Sequence, residues 1–201
     1  MSALTTKPPG KTRNAASTRE KILEAARGCF SRRSYENVGL REIAAEAGVD
    51  AALVSRYFGG KDGLFEEVVK GAFHIDEHLP ASGDPVAIGD FLVRHIMRDA
   101  DDAHEVGGFD PLRLLLLAAA NPETAAVVSA QFQREFVQPL SARLSGDDAE
   151  VRANVIASYV IGLAAARHLL HAPALDVTAT ERVVALAGDA IQHCVMPAVN
   201  T

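Results

Sequence analysis

The sequence predicts an all-α fold. It reads as an N-terminal three-helix helix-turn-helix domain followed by a C-terminal helical domain. Three observations carry that reading. The chain of 201 residues is 48% hydrophobic but only 5% aromatic, with no Trp and abundant Ala, and Ala has the highest helix propensity. No stretch alternates apolar and polar residues between turn signals, as a half-buried strand would. Residues 40–65, LREIAAEAGVDAALVSRYFGGKDGLF, hold two short apolar stripes joined by a glycine turn, the pattern of a unit whose second helix lies in a DNA major groove. The expected division is a flexible basic arm at 1–16, a helix-turn-helix DNA-binding domain at 17–76 and a helical domain at 77–201.

Each element has its own signal. Residues 1–16 carry Pro8, Pro9 and Gly10 and read as the arm. Ser17 and Glu20 form an S-x-x-E capping box, which predicts a first helix from Thr18 to Arg33. Ile22, Ala26, Cys29 and Phe30 recur on its apolar face. A second helix spans Leu40 to Ala47, with Gly48 in the left-handed position that ends it. Asp50 is a good N-cap for a third helix over Ala51–Phe58, and Gly59 and Gly60 stop it. A fourth helix is expected from Lys61 to Glu77. Further helices are expected over 86–101, 110–120, 122–144, 149–171 and 178–195, with a kink at Pro139 because proline lacks the N–H the helix needs.

The net charge of −6 is unevenly spread. Residues 1–73 hold 12 Lys and Arg against 9 Asp and Glu, a net +3; residues 74–201 hold 8 against 17, a net −9. A nucleic-acid binder needs a basic contact face, not a basic total. Cys29 and Cys194 sit far apart on apolar helix faces, as free thiols in a reducing compartment do. No secretory core precedes the first helix, and the run LLLLAAA at 114–120 is too short to span a bilayer. A cytoplasmic protein without membrane contact is expected.

The segment TREKILEAARGCFSRRSYENVGLREIAAEAGVDAALVSRYFGGKDGLFEEVV resembles the DNA-binding domain of tetracycline-repressor-like (TetR family) regulators. The resemblance covers about residues 17–70 and rests on I-L-x-A-A, I-A-x-x-A-G-V and Y-F-x-x-K-x-x-L-F. It implies a homodimer on a palindromic operator and a C-terminal domain that dimerises and holds a small ligand whose binding releases the DNA. The chain departs from the family pattern in carrying Ala52 and Ser55 where Gly and Tyr are common, Gly39 where a Thr often caps the second helix, and Ser34 in place of a loop glycine.

Within that frame the third helix presents Ala51, Ala52, Ser55 and Arg56. Arg56 is the candidate base reader, because a guanidinium pairs with guanine O6 and N7. The two alanines suit thymine methyls or close approach. Tyr57, Lys61 and Arg41 are placed for phosphates, and the resemblance implies the same for Tyr57 and Lys61. Phosphate contacts position the protein without reading sequence. Lys11, Arg13 and Arg19 are candidates for the backbone or an adjacent minor groove.

In the C-terminal domain, Phe91, His95, Leu112, Leu116, Phe132, Phe136 and Tyr159 are candidates for the wall of a small-molecule pocket. The last two long helices are apolar over more of their surface than one core requires. Ile156, Val160, Leu163, Val183, Leu186, Ala187, Ala190 and Ile191 are therefore expected at a two-fold four-helix interface.

No Ser/His/Asp order, paired carboxylates or phosphate loop stands out, so an enzyme is not expected. His74 and His78 have i, i+4 spacing, but no further His or Cys completes a ligand set; neither metal nor cofactor is expected. The reading is a DNA-binding transcriptional regulator, a repressor released by a small-molecule effector. The alternative is a helical small-molecule-binding or interaction module whose DNA reader has decayed.

Overall fold

The computed structural model describes residues 11–75, 88–98 and 109–196, with side chains from residue 15 onward, and contains no strand among them. Helix α1 spans Lys11–Arg32. It starts at Lys11 rather than at Thr18. Nothing in the sequence KTRNAA stops a helix, so the capping box at Ser17 does not mark its start. Ser17 and Glu20 therefore lie inside α1 and do not cap it. A 3₁₀ turn at Tyr35–Asn37 leads to α2, Leu40–Glu46, then α3, Ala51–Phe58, and α4, Lys61–Val69.

These helices close around one small core. Ile22, Ala26, Cys29 and Phe30 from α1 meet Ile43, Val54, Leu64 and Val68, all essentially excluded from solvent. Phe65 packs edge-on to both Phe30 and Tyr35, with centroids 5.2 Å apart in each pair. Edge-to-face pairs add about 0.5–1.5 kcal/mol beyond the area they bury.

Helix α4 is shorter than its apolar pattern suggested. It ends at Val69, and Gly71 (φ 81°) takes the left-handed conformation that only glycine adopts readily. The turn that follows is held from outside. The Glu135 carboxylate, buried at 5% exposure, accepts the Gly71 N–H at 2.8 Å and the Phe73 N–H at 3.0 Å.

The C-terminal domain consists of α5 (Ile88–Met97), α6 (Pro111–Ala119), α7 (Ala125–Phe132), α8 (Gln138–Arg143), α9 (Ala149–Ala164), α10 (Thr180–Val183) and α11 (Asp189–Val195). Asp110 caps α6 by accepting the Arg113 N–H at 2.9 Å, with Pro111 in the first turn. Pro122 does not open a helix; it lies in the turn before α7. Helices α7 and α8 form one rod interrupted by a π-turn at Gln133–Val137. This is how the chain accommodates Pro139. Proline has no N–H for the carbonyl four residues back, so the Glu135 carbonyl is released and accepts the Ile75 N–H at 3.3 Å. Similar π-turns follow α9 at Ala165–Leu169 and join α10 to α11 at Val184–Gly188.

Helices α5 and α11 approach at backbone distance. A Cβ at Gly89 would overlap the Gly188 carbonyl, and the Gly89 N–H donates to the Gln192 side chain at 3.0 Å. Helix α9 packs on α5, α6, α8 and α11, burying Ala153, Ile156, Val160 and Ala164.

Two stability outcomes follow. Glu135→Leu strands two inward-facing N–H groups, at about 1–3 kcal/mol for each buried donor left unpaired; the midpoint of urea unfolding should fall while its slope stays constant. Gly89→Ala should cost about 1–3 kcal/mol by overpacking α5 against α11, read as a lower melting temperature by circular dichroism. An unchanged melting temperature would refute the close approach of the two backbones.

Candidate nucleic-acid interface and the cavity behind it

The helix-turn-helix is fixed by local chemistry at each end of α3. Gly48 (φ 67°) turns the chain after α2, and the Val49 N–H closes the turn on the Ala44 carbonyl at 2.9 Å. Asp50 caps α3 by accepting the Ala52 N–H at 2.7 Å. Val54 and Phe58 are buried, which turns Ala52, Ser55 and Arg56 outward; Ala51 and Tyr57 are half-buried. Gly59 (φ 76°) ends α3 with its N–H on the Ser55 carbonyl at 2.9 Å. Gly63 of α4 then lies against the Phe58 carbonyl so tightly that any Cβ would collide with it. A bare glycine thus sets how α4 crosses the end of α3.

The basic residues divide into two groups. Arg41 and Arg56 are exposed and form no ion pair among the described residues. The arginines of α1 whose side chains are described, and Arg33 just after it, are engaged with carboxylates. Arg19 hydrogen-bonds Glu67 and lies 4.8 Å above the Phe58 ring. It clamps α1 to α3 and α4 and is not held out toward a phosphate, which corrects the expectation for this residue. Arg32 meets Glu46 at 2.9 Å and Arg33 meets Glu42. The side chains of Lys11 and Arg13 lie outside the described residues.

Lys61 sits at the start of α4 with its ammonium 4.2 Å from the centroid of the Tyr35 ring. The Tyr35 hydroxyl donates to Asp62, and burial together with that carboxylate pushes its pKa well above the ordinary phenol range. Cys29 donates its S–H to Glu46 at 3.1 Å; burial, then the same carboxylate, raises the thiol to about 11. A thiol held neutral in this way is structural, not reactive.

Behind α4 the C-terminal domain encloses a cavity of about 220 Å³. Phe91, His95, Leu112, Phe132 and Phe136 line it, together with residues the sequence did not single out: Phe73, His74 and Phe109. Leu116 lies instead in a separate groove with Ala119 and Ile161. Tyr159 is 43% exposed on the outer side of α9 and takes no part in the wall. Both depart from expectation because a helix pattern marks apolar positions without saying which face turns inward. His74 stands between cavity and turn, with Nε2 3.6 Å from Glu135. His78, its expected i+4 partner, lies outside the described residues.

The two long apolar helices hold a further correction. Ile156, Val160, Val183 and Ile191 are buried within the protomer's own core, and Leu163, Ala187 and Ala190 are half-buried. Leu186 is 78% exposed. The apolar face left outside on α9 is Val151, Val155 and Tyr159, at i, i+4 and i+8.

Comparison with known proteins agrees with this geometry. A family model described as "Bacterial regulatory proteins, tetR family" matches residues 22–68, and one described as "Tetracyclin repressor-like, C-terminal domain" matches residues 87–195. The probable HTH-type transcriptional regulator YttP of Bacillus subtilis (strain 168) is 43% identical over 53 residues. That match spans 26% of this chain and 26% of the relative. A TetR-family regulator from Streptomyces coelicolor A3 superimposes with a TM-score of 0.57 at 28% identity, over 95% of this chain and 99% of that one. A putative transcriptional regulator from Saccharomonospora viridis, solved in complex with choline, shares the fold with a TM-score of 0.64 at 22% identity, over 89% and 97% of the two chains. The chain belongs to the tetR family of bacterial regulatory proteins and is a DNA-binding transcriptional regulator.

Proposed function

We propose that the protein is a cytoplasmic homodimeric repressor that binds a palindromic operator through α3 and leaves it when a small molecule occupies the cavity behind α4. The observation that carries the DNA-binding part is the outward Arg56, without an ion-pair partner among the described residues, on a helix capped at Asp50 and ended at Gly59. Arg56 reads a guanine; Ala51, Ala52 and Ser55 allow the helix to sit deep in the groove. Arg41, Tyr57 and Lys61 hold phosphates. In support of ligand control, Phe73 and His74 belong both to the cavity wall and to the turn that ends α4, so an occupant touches the element that carries the reading head.

A second copy is the occupant proposed for the outer face of α9. The segment Ala149–Leu169 is strongly apolar, yet within it only Ala153, Ile156, Ala157, Val160 and Ala164 are buried in the protomer. Val151, Val155 and Tyr159 leave a stripe of apolar surface on it. Gly162 continues the stripe with open space around it, giving a facing helix room to approach.

The short side chains at Ala51, Ala52 and Ser55 favour one other reading, a helical module whose reader has decayed. Salt dependence separates the two. A binder that engages several phosphates loses about 0.9 log unit of affinity per contact for each tenfold rise in salt; a decayed reader binds no duplex with such a slope and selects no sequence.

Arg56→Ala should relax preference at one position of each half-site, a loss of about 1–3 kcal/mol of discrimination. Lys61→Ala should weaken all duplexes alike and lower the salt slope by about one contact. Both are measured by binding to a panel of single-base operator variants. An unaltered preferred sequence in Arg56→Ala would refute its assignment as the base reader. Val155→Glu, on the exposed face, should give a helical monomer by light scattering and weaken operator binding; a dimer of unchanged mass would place the interface elsewhere.

A further inference from the structure

The cavity wall has a definite chemistry. Phe73, Phe132 and Phe136 form one aromatic surface: Phe73 meets Phe132 edge-on at 5.6 Å, and Phe132 stacks on Phe136 at 4.9 Å. Phe91 stacks on His95 at 6.2 Å as a second surface, and Phe109 adds a further ring to the wall. No Asp, Glu, Lys or Arg lines the space among the described residues. Glu135, beside His74, is buried and already accepts the Gly71 and Phe73 N–H groups. Among the described residues a charged ligand would lose its hydration without gaining a counter-ion on the wall, which is strongly unfavourable in an apolar site. The polar side chains on the wall are the imidazoles of His74 and His95.

Size narrows the class further. The space of about 220 Å³ is below the roughly 300–1,000 Å³ of pockets for drug-sized ligands. It is above the roughly 150 Å³ apolar cavity that accepts benzene.

We propose that the cavity takes an uncharged aromatic compound of one or two rings carrying a hydroxyl or carbonyl that hydrogen-bonds a wall imidazole. The rings pack offset or edge-on against the phenylalanines, as aromatic pairs prefer. The proposal rests on the ligand-controlled reading above, but the ligand class can be tested apart from it.

The full chain has no Trp, so naphthyl fluorescence can be excited and read without tryptophan background. The wild-type protein is titrated with 2-naphthol, with its anionic analogue 2-naphthoate and with the cation phenyltrimethylammonium. Saturable binding of one 2-naphthol per chain is expected, at least about tenfold tighter than either ion. Leu112→Phe, at a half-buried wall position, should fill part of the space without adding a tryptophan and weaken 2-naphthol at least about tenfold, with the helical spectrum and cooperative melting retained. If that variant misfolds, Phe91→Leu replaces it; it removes a half-buried wall ring, and the same loss of binding is expected. No saturable binding of 2-naphthol, or tighter binding of either ion, overturns the proposal. Tighter binding of phenyltrimethylammonium would instead mark the aromatic wall as a cation–π cage. Operator binding is measured on the same samples. Saturable 2-naphthol binding without DNA release supports the ligand class and counts against ligand control; absence of operator binding counts against the regulator reading alone.

Discussion

The structure turns on one buried carboxylate. Glu135 takes up the two N–H groups that the end of α4 leaves open, and its own carbonyl, released by Pro139, takes a third. Three hydrogen bonds from one residue thus dock the last turn of the DNA-binding domain on the α7–α8 rod. Gly71 makes the turn possible and Glu135 makes it specific. The same turn carries Phe73 and His74 into the cavity, so the joint between the domains is also part of the cavity wall.

On the other side of α4, sterics perform the equivalent task. Gly63 leaves no gap between α4 and the end of α3, and the Arg19 clamp to Glu67 and Phe58 ties α1 into the same corner. These contacts tie α4 to the end of α3 and to α1. The ion pairs of α1 also explain why a locally basic segment offers few free charges. Arg32 and Arg33 hold α2 in place, and among the described residues Arg41 and Arg56 form no ion pair. Exposed ion pairs are worth only about 0–1 kcal/mol, so their contribution here is more to orientation than to stability.

The helix-turn-helix was legible because its signals are local. Asp50, Gly48 and Gly59 act within a turn of where they stand, and α3 has the bounds its sequence predicts. The start of α1 was misread because a capping box marks a helix start only if the preceding residues cannot be helical. The end of α4 was missed because its decisive partner is 64 residues away. In the C-terminal domain the apolar positions were identified, but a helix that is apolar on two sides does not say which is the inner one. Ile156 and Val160 were therefore taken for an outer surface, while the exposed Val151 was overlooked. Phe91, His95, Leu112, Phe132 and Phe136 share one wall. Tyr159 lies one position off the inward face of α9, and Leu116 faces the far side of Phe132.

A short-toothed recognition helix on a rigid frame makes a particular demand of the DNA. With few long side chains on α3 to read bases, specificity in the homodimer proposed above would come from the duplication of one reading head by two-fold symmetry. The most direct test is selection of bound sequences from a random duplex pool by the wild-type protein at near-physiological salt. The account predicts an inverted repeat with half-site centres about one helical turn, or a multiple of it, apart. A folded protein that enriches no sequence, or enriches a single unrepeated site, would contradict it.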